Sequence, residues 1–313
     1  MEIEYFIGDL TAREPVRIPV GEQKYSELVT SSKVVHGALE IEHKYALLVD
    51  NYKELEVDLL RYAIEHATHQ RSKWEHFAGE RLVLDRRILN YLAATRAYTL
   101  QVTSTLKHVY GRDSKAYNAF VELTKQKRAT DTAFKLGEFI RDFVQHHRMP
   151  VDVEGVTYSV IRWKPPRQSA CTIRPKIKKK ELLANRDAAK KGINTLLAGM
   201  PEEIDLKPHM RAFMRSIAEL HIQVRNATDD VVKTSEQHLR ATIDICKSKG
   251  CSNLLSAMGI SVDDPREILE YTALMEEPLN YLSELREYNS PAGRVGECFV
   301  TSQDEDLMLK DLP

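Results

Sequence analysis

The sequence predicts a mainly α fold: a helical bundle over residues 34–150, a small β-hairpin insert and a C-terminal helical region. Three observations predict it. Leucines recur at three- and four-residue steps through long stretches almost free of Gly and Pro, which is the period of a helix face. A β-branched run near residue 156 interrupts them. The 313-residue chain is 42% hydrophobic and 29% charged, enough apolar material for one large or two ordinary packed domains and too much for wholesale disorder.

Residues 1–33 read as a leader, in which Val16, Ile18 and Val20 alternate as a brief strand kept irregular by Pro15 and Pro19. A helix is expected from Val34 to about His69, carrying Leu39, Leu47, Leu48, Leu55, Leu59 and Leu60. A second runs from Ser72 or Trp74 to Tyr110, with Leu82, Leu89, Leu92 and Leu100, and Gly111 stops it. A third starts near Ser114, and a fourth spans about Thr130 to Arg148, bounded by Pro150. Residues 151–178 form a basic β-hairpin: Val156–Ile161 and Cys171–Arg174 are its strands and Pro165-Pro166 its turn. Helical periodicity returns over 179–198 and 204–249, with Pro208 in a first turn, and Asp264-Pro265 opens one more helix through about Tyr288. Residues 179–288 thus make a C-terminal helical domain, and 289–313 a flexible tail.

Composition narrows the function classes. With 45 basic against 46 acidic side chains the net charge is −1, so any nucleic-acid role rests on local patches. Cys171, Cys246, Cys251 and Cys298 are too sparse for a disulfide framework, and no second Cys/His pair stands at zinc spacing beside Cys246 and Cys251. The N-terminal residues carry no apolar run, and no stretch approaches the roughly 18 apolar residues of a membrane span. A cytoplasmic protein without membrane, metal or cofactor is expected. No Gly-rich phosphate loop is present to support nucleotide hydrolysis.

The chemistry concentrates in Phe139-Ile-Arg141-Asp142-Phe-Val-Gln145-His146-His147-Arg148. RNA cleavage without a metal needs a base for the ribose 2′-OH, a cation for charge developing on the phosphate, and an acid for the leaving 5′-oxygen. Histidine titrates nearest neutrality, and arginine stays charged and matches phosphate oxygens in a fork. Asp142 and His146, four apart, lie on one helix stripe, so the carboxylate can orient the imidazole. Arg61 with His66 and Arg71 with His76 share the spacing, and Arg215 with His221 stands one residue wider, but of these arginines only Arg141 is followed by Asp. His147 falls near the centre of the apolar face set by Leu136, Phe139, Ile140, Phe143 and Val144, so packing or capping suits it better. His66 and His69 read as surface residues.

This pattern of an arginine, a polar residue and a histidine after four intervening positions resembles the signature of the HEPN ribonuclease family. Arg86-Arg87-Ile-Leu-Asn90-Tyr-Leu-Ala-Ala-Thr-Arg96, and the ending Gln145-His146-His147-Arg148-Met-Pro150, resemble segments of bacterial HEPN-like proteins. The resemblance covers about a third of the chain. It implies a helical bundle, metal-independent cleavage leaving a 2′,3′-cyclic phosphate, and a toxin–antitoxin or phage-defence setting with an antitoxin or defence-system partner. Arg141, Asp142 and His146 would be catalytic, with Arg87, Asn90, Gln145 and His147 lining the site. On a straight helix Arg141 sits about 140° around the axis from His146. In the family this is met by a dimer in which two motif helices face each other, so a homodimer is expected.

A second candidate is the hairpin. Arg162, Trp163, Lys164, Arg167, Arg174, Lys176, Lys178, Lys179 and Lys180 carry no acidic residue between them, and an aromatic ring among cations suits an RNA strand. Lysines protecting a sheet edge are the alternative. A non-catalytic dimerisation bundle and an RNA-binding module using this hairpin therefore stand beside the nuclease reading.

Overall fold

The computed structural model describes residues 3–9, 16–69, 73–152, 156–162, 169–185, 192–251, 255–262 and 267–295. The chain is mainly helical. Strand β1 (Ile3–Asp9) and β2 (Arg17–Val20) precede four helices: α1 (Glu22–Thr68), α2 (Trp74–Tyr110), α3 (Lys115–Thr130) and α4 (Thr132–His146). Strands β3 (Val156–Arg162) and β4 (Ser169–Lys178) follow, then α5 (Lys179–Leu183), α6 (Ile193–Ala198), β5 (Glu203–Asp205) and α7 (Leu206–Ser248). Strands β6 (Leu255–Ser261) and β7 (Ile268–Leu274) lead into α8 (Glu276–Tyr288).

The expected helices are present, with differences at the ends. The first begins at Glu22, twelve residues before Val34, because its opening turns bury Tyr25 and Leu28 against apolar neighbours. Gly111, at φ 89°, ends α2 in a conformation that a side chain would strain. The brief strand expected around Val16–Val20 is β2; the main departure is the sheet that forms around it. A four-stranded antiparallel sheet has the order β2-β1-β6-β7. Residues 268–274, expected as helix, are its strand β7, and 255–261 form β6, every residue of which is buried. A strand buried on both faces shows no alternation in sequence.

The chain divides into two compact units that do not follow the sequential blocks. One comprises Met1–Ala46, Leu100–Val121 and Ile222–Ser290; the other comprises Leu47–Thr99, Glu122–His221 and Pro291–Pro313. The division falls inside α1, α2, α3 and α7. The first unit holds the four-stranded sheet, packed with Leu28, Val35, Val232, Ile243 and Leu282. The second unit holds α4 and the hairpin, whose strands pair in register from Val156↔Pro175 to Arg162↔Ser169. Strand β5 adds to its far edge, pairing Lys176 with Asp205 and Lys178 with Glu203.

Candidate functional site

Helix α4 is fixed before any of its polar groups are placed. Asp131 caps it: Oδ1 accepts the Phe134 N–H at 3.0 Å, while Oδ2 accepts Ser216 Oγ at 2.6 Å and Lys127 Nζ at 3.2 Å. Burial pushes this carboxyl's pKa up, but the three hydrogen bonds more than offset it and hold the value below the usual carboxylate range. The apolar face of Phe134, Leu136, Phe139, Ile140, Phe143 and Val144 is buried. Gly137 brings the helix against Phe213 of α7, for a β-carbon there would stand 2.3 Å from the ring.

Arg141 projects from this anchored helix yet is only 6% exposed. Its Nε and Nη2 donate to Asp142 Oδ1 at 3.0 and 2.5 Å, and Nη1 lies 3.5 Å from Glu138 Oε1. Glu138 in turn accepts a two-pronged pair from Arg128 of α3 at 2.8 and 2.9 Å. That pairing, chiefly its hydrogen bonds, raises the Arg128 pKa. Neither Glu138 nor Arg128 was singled out by the motif, although the three-residue spacing of Glu138 and Arg141 is a readable helix pair.

His146 is the last residue of α4 and is exposed, with no hydrogen-bond or ion-pair partner among the described residues. Gln145 beside it is exposed as well. The structure therefore joins Arg141 to Asp142 and leaves the imidazole apart from both, at the open end of the helix. His147 occupies the C-cap: its N–H donates to the Phe143 carbonyl and its ring rests 5.5 Å from the Phe143 ring. Its side chain is exposed, not sunk in the apolar face, because the helix ends one residue earlier.

Arg87 is engaged elsewhere. It donates to Asp58 at 2.7 Å and also pairs with Glu54, linking α2 to α1. Asn90 is exposed. His66, expected at the surface, is buried, hydrogen-bonded to Glu80 at 2.8 Å and stacked on Phe77. Its carboxylate partner lies fourteen residues away on the next helix, beyond the reach of local spacing.

The basic hairpin is less basic in three dimensions than in sequence. Strand β5 and the turn before it bring acids alongside: Lys176 pairs with Glu203 at 2.7 Å, and Lys179 with Glu202 at 2.8 Å. Lys178 lies opposite Glu203, and its backbone N–H donates to Asp152 at 2.6 Å. Arg174 and Lys180 remain exposed. Trp163, Lys164 and Arg167 lie outside the described residues, as does the Arg162 side chain.

Among the described residues no group of three or more His, Cys, Asp or Glu stands ready to hold a metal ion. No described helix is long and apolar enough to cross a membrane. Fold and site together define a mainly helical protein with an Arg-Asp-x3-His motif closing a capped helix. No family model, curated protein or solved structure matches this chain.

Proposed function

We propose that the protein is a metal-independent endoribonuclease whose working residues are Arg141, Asp142 and His146. The observation that carries this reading is the pairing of Arg141. Among the described residues its carboxylate partners, Glu138 and Asp142, lie on its own helix. A guanidinium that is withdrawn from water yet reaches a second element only through a shared carboxylate, Glu138, carries a desolvation cost with little structural return. Asp142, its nearer partner, keeps 32% of its side chain exposed, so an incoming phosphate can replace that carboxylate. The resemblance of residues 141–146 to the HEPN signature supports the same reading.

In this chemistry His146 takes the ribose 2′-OH proton, the 2′-oxygen forms a bond to phosphorus, and the bond from phosphorus to the 5′-oxygen breaks. The leaving 5′-oxygen takes up a proton, and Arg141 offsets charge on the phosphate. Two copies of α4 in a homodimer bring an arginine and an imidazole to one linkage. In a toxin–antitoxin or phage-defence setting, a partner protein would restrain this activity.

Cleavage of labelled RNA in the presence of a chelator tests the proposal. The expected product ends in a 2′,3′-cyclic phosphate, and Arg141→Ala and His146→Ala each lower the rate by roughly 100-fold or more. Mixing the two inactive variants restores part of the activity if the site is shared between copies. The burial of Arg141 favours a second reading, a non-catalytic interaction bundle. In that case no preparation cleaves RNA, and Arg141→Ala alters only self-association.

A further inference from the structure

The first unit contains a cleft of about 810 Å³ between α1, α2 and β7, within the size range of small-molecule sites. Its walls come from one face of α1, where Lys33, His36 and Glu40 follow at helical spacing, and from Ser104 and His108 of α2. Gly37 sets the distance between these walls, since a β-carbon there would meet Val109 of α2 at 2.8 Å.

The charge balance of the lining is one-sided. Among the described lining residues Glu40 is the sole carboxylate, and it is already occupied: Lys44 Nζ reaches it at 3.0 Å, and Thr105 Oγ1 donates to it at 3.1 Å. The Lys44 hydrogen bond holds the Glu40 pKa below the usual range. Lys33 is exposed and has no carboxylate partner among the described residues. His36 donates through Nδ1 to the Ser32 carbonyl at 2.8 Å, which leaves Nε2 for a ligand. At the rim Tyr271, on edge strand β7, is 64% exposed.

We propose that this cleft binds a nucleoside monophosphate, with the phosphate held by Lys33 and the N–H of His108, a ligand hydroxyl donating to His36 Nε2, and the base stacked on Tyr271. With Lys44 spent on Glu40, Lys33 leaves the lining an uncompensated positive charge, which favours an anionic phosphate group. The volume exceeds what inorganic phosphate alone fills, and an exposed ring beside cations suits a planar base. This goes beyond the nuclease reading and does not depend on it, because every lining residue belongs to the first unit and α4 to the second.

Calorimetric titration of the full chain with adenosine 5′-monophosphate, ribose 5-phosphate and inorganic phosphate tests it. One equivalent of the nucleotide is expected to bind. Lys33→Glu is expected to weaken it by about tenfold or more, the loss of a charge-assisted contact. Tyr271→Ala is expected to weaken the nucleotide by about fivefold or more while leaving ribose 5-phosphate unchanged. Both positions are exposed, so unfolding midpoints serve as a control. Arg141→Ala retains binding, which separates this cleft from α4. The proposal is overturned by no detectable nucleotide binding at about 1 mM. Equal affinity for inorganic phosphate, unchanged affinity in Lys33→Glu, or loss of binding in Arg141→Ala would also overturn it.

Discussion

Arg141 and Arg225 belong to different units and are both largely withdrawn from water, but they are held in opposite ways. Arg225 grips Glu42 with two parallel bonds of 2.5 and 2.6 Å, and a third donation reaches the Arg286 carbonyl. Glu42 is 2% exposed and also accepts the Asn289 amide at 2.8 Å, so this one guanidinium ties α1, α7 and α8 together. Among the described residues the carboxylate partners of Arg141 both lie on α4, and it reaches α3 only through Glu138, which Arg128 also holds. Under the proposed function, the contrast separates an arginine whose absence loosens the fold from one whose absence removes activity. Each is mostly shielded from water and held by carboxylate, so shielding alone does not distinguish them; the origin of the partners does.

The contrast is broken most directly by exchanging the two losses. Arg225→Ala is expected to cost about 3 kcal/mol in urea unfolding, because the buried Glu42 carboxylate loses its two-pronged guanidinium partner and keeps only the Asn289 amide and the more distant Arg286. Arg141→Ala is expected to cost far less in the same measurement while abolishing RNA cleavage. A large stability loss at Arg141 with no effect on cleavage would reverse the assignment. Next in size is Gly137→Ala. Its β-carbon collides with the buried Phe213 ring, and overpacking costs about 1–3 kcal/mol, set against a helix-propensity gain of roughly 1 kcal/mol. Net destabilisation is expected, and a stabilised variant would show that α4 and α7 can part without penalty.

A smaller effect sharpens the picture at the other end of α4. Asp131→Asn is expected to cost about 1 kcal/mol at pH 7. Because the folded state lowers the Asp131 pKa, its contribution is present above the unfolded carboxylate value and is lost as pH falls through the folded value. The gap between the parent and Asp131→Asn should therefore narrow from pH 7 to pH 3 in paired unfolding curves. The smallest effect belongs to the hairpin: Lys176→Ala removes an exposed pair with Glu203 and should change stability by under about 1 kcal/mol. Lys180→Glu with unchanged RNA affinity would remove the hairpin from any account of RNA binding.

The local half of this architecture was legible in sequence. Helix α2 was expected to end at Tyr110 before Gly111, and it does; the apolar face of α4 was named correctly down to Val144. The leucine period located the helices without identifying their buried face, for Leu47, Leu82 and Leu100 are exposed, while Tyr52, Tyr91 and Tyr98 fill the interior. What stayed hidden depends on distant pairing. Strand β1 finds its partner in β6, and the acids that temper the basic hairpin arrive from Glu202 and Glu203. At the candidate site the motif gave the residues, and helix geometry gave the separation of His146 from Arg141, but neither gave the Glu138–Arg128 connection.

The register of Ile3 opposite Ser261 carries a consequence for biosynthesis. During translation β1 emerges early and must wait for β6, an interval of roughly 12–50 s at ordinary ribosomal speeds. Throughout that time the apolar side of β1 and the inner face of α1 lack their final cover. The nascent chain therefore carries this uncovered apolar surface until β6 is made, and slow synthesis prolongs that exposure.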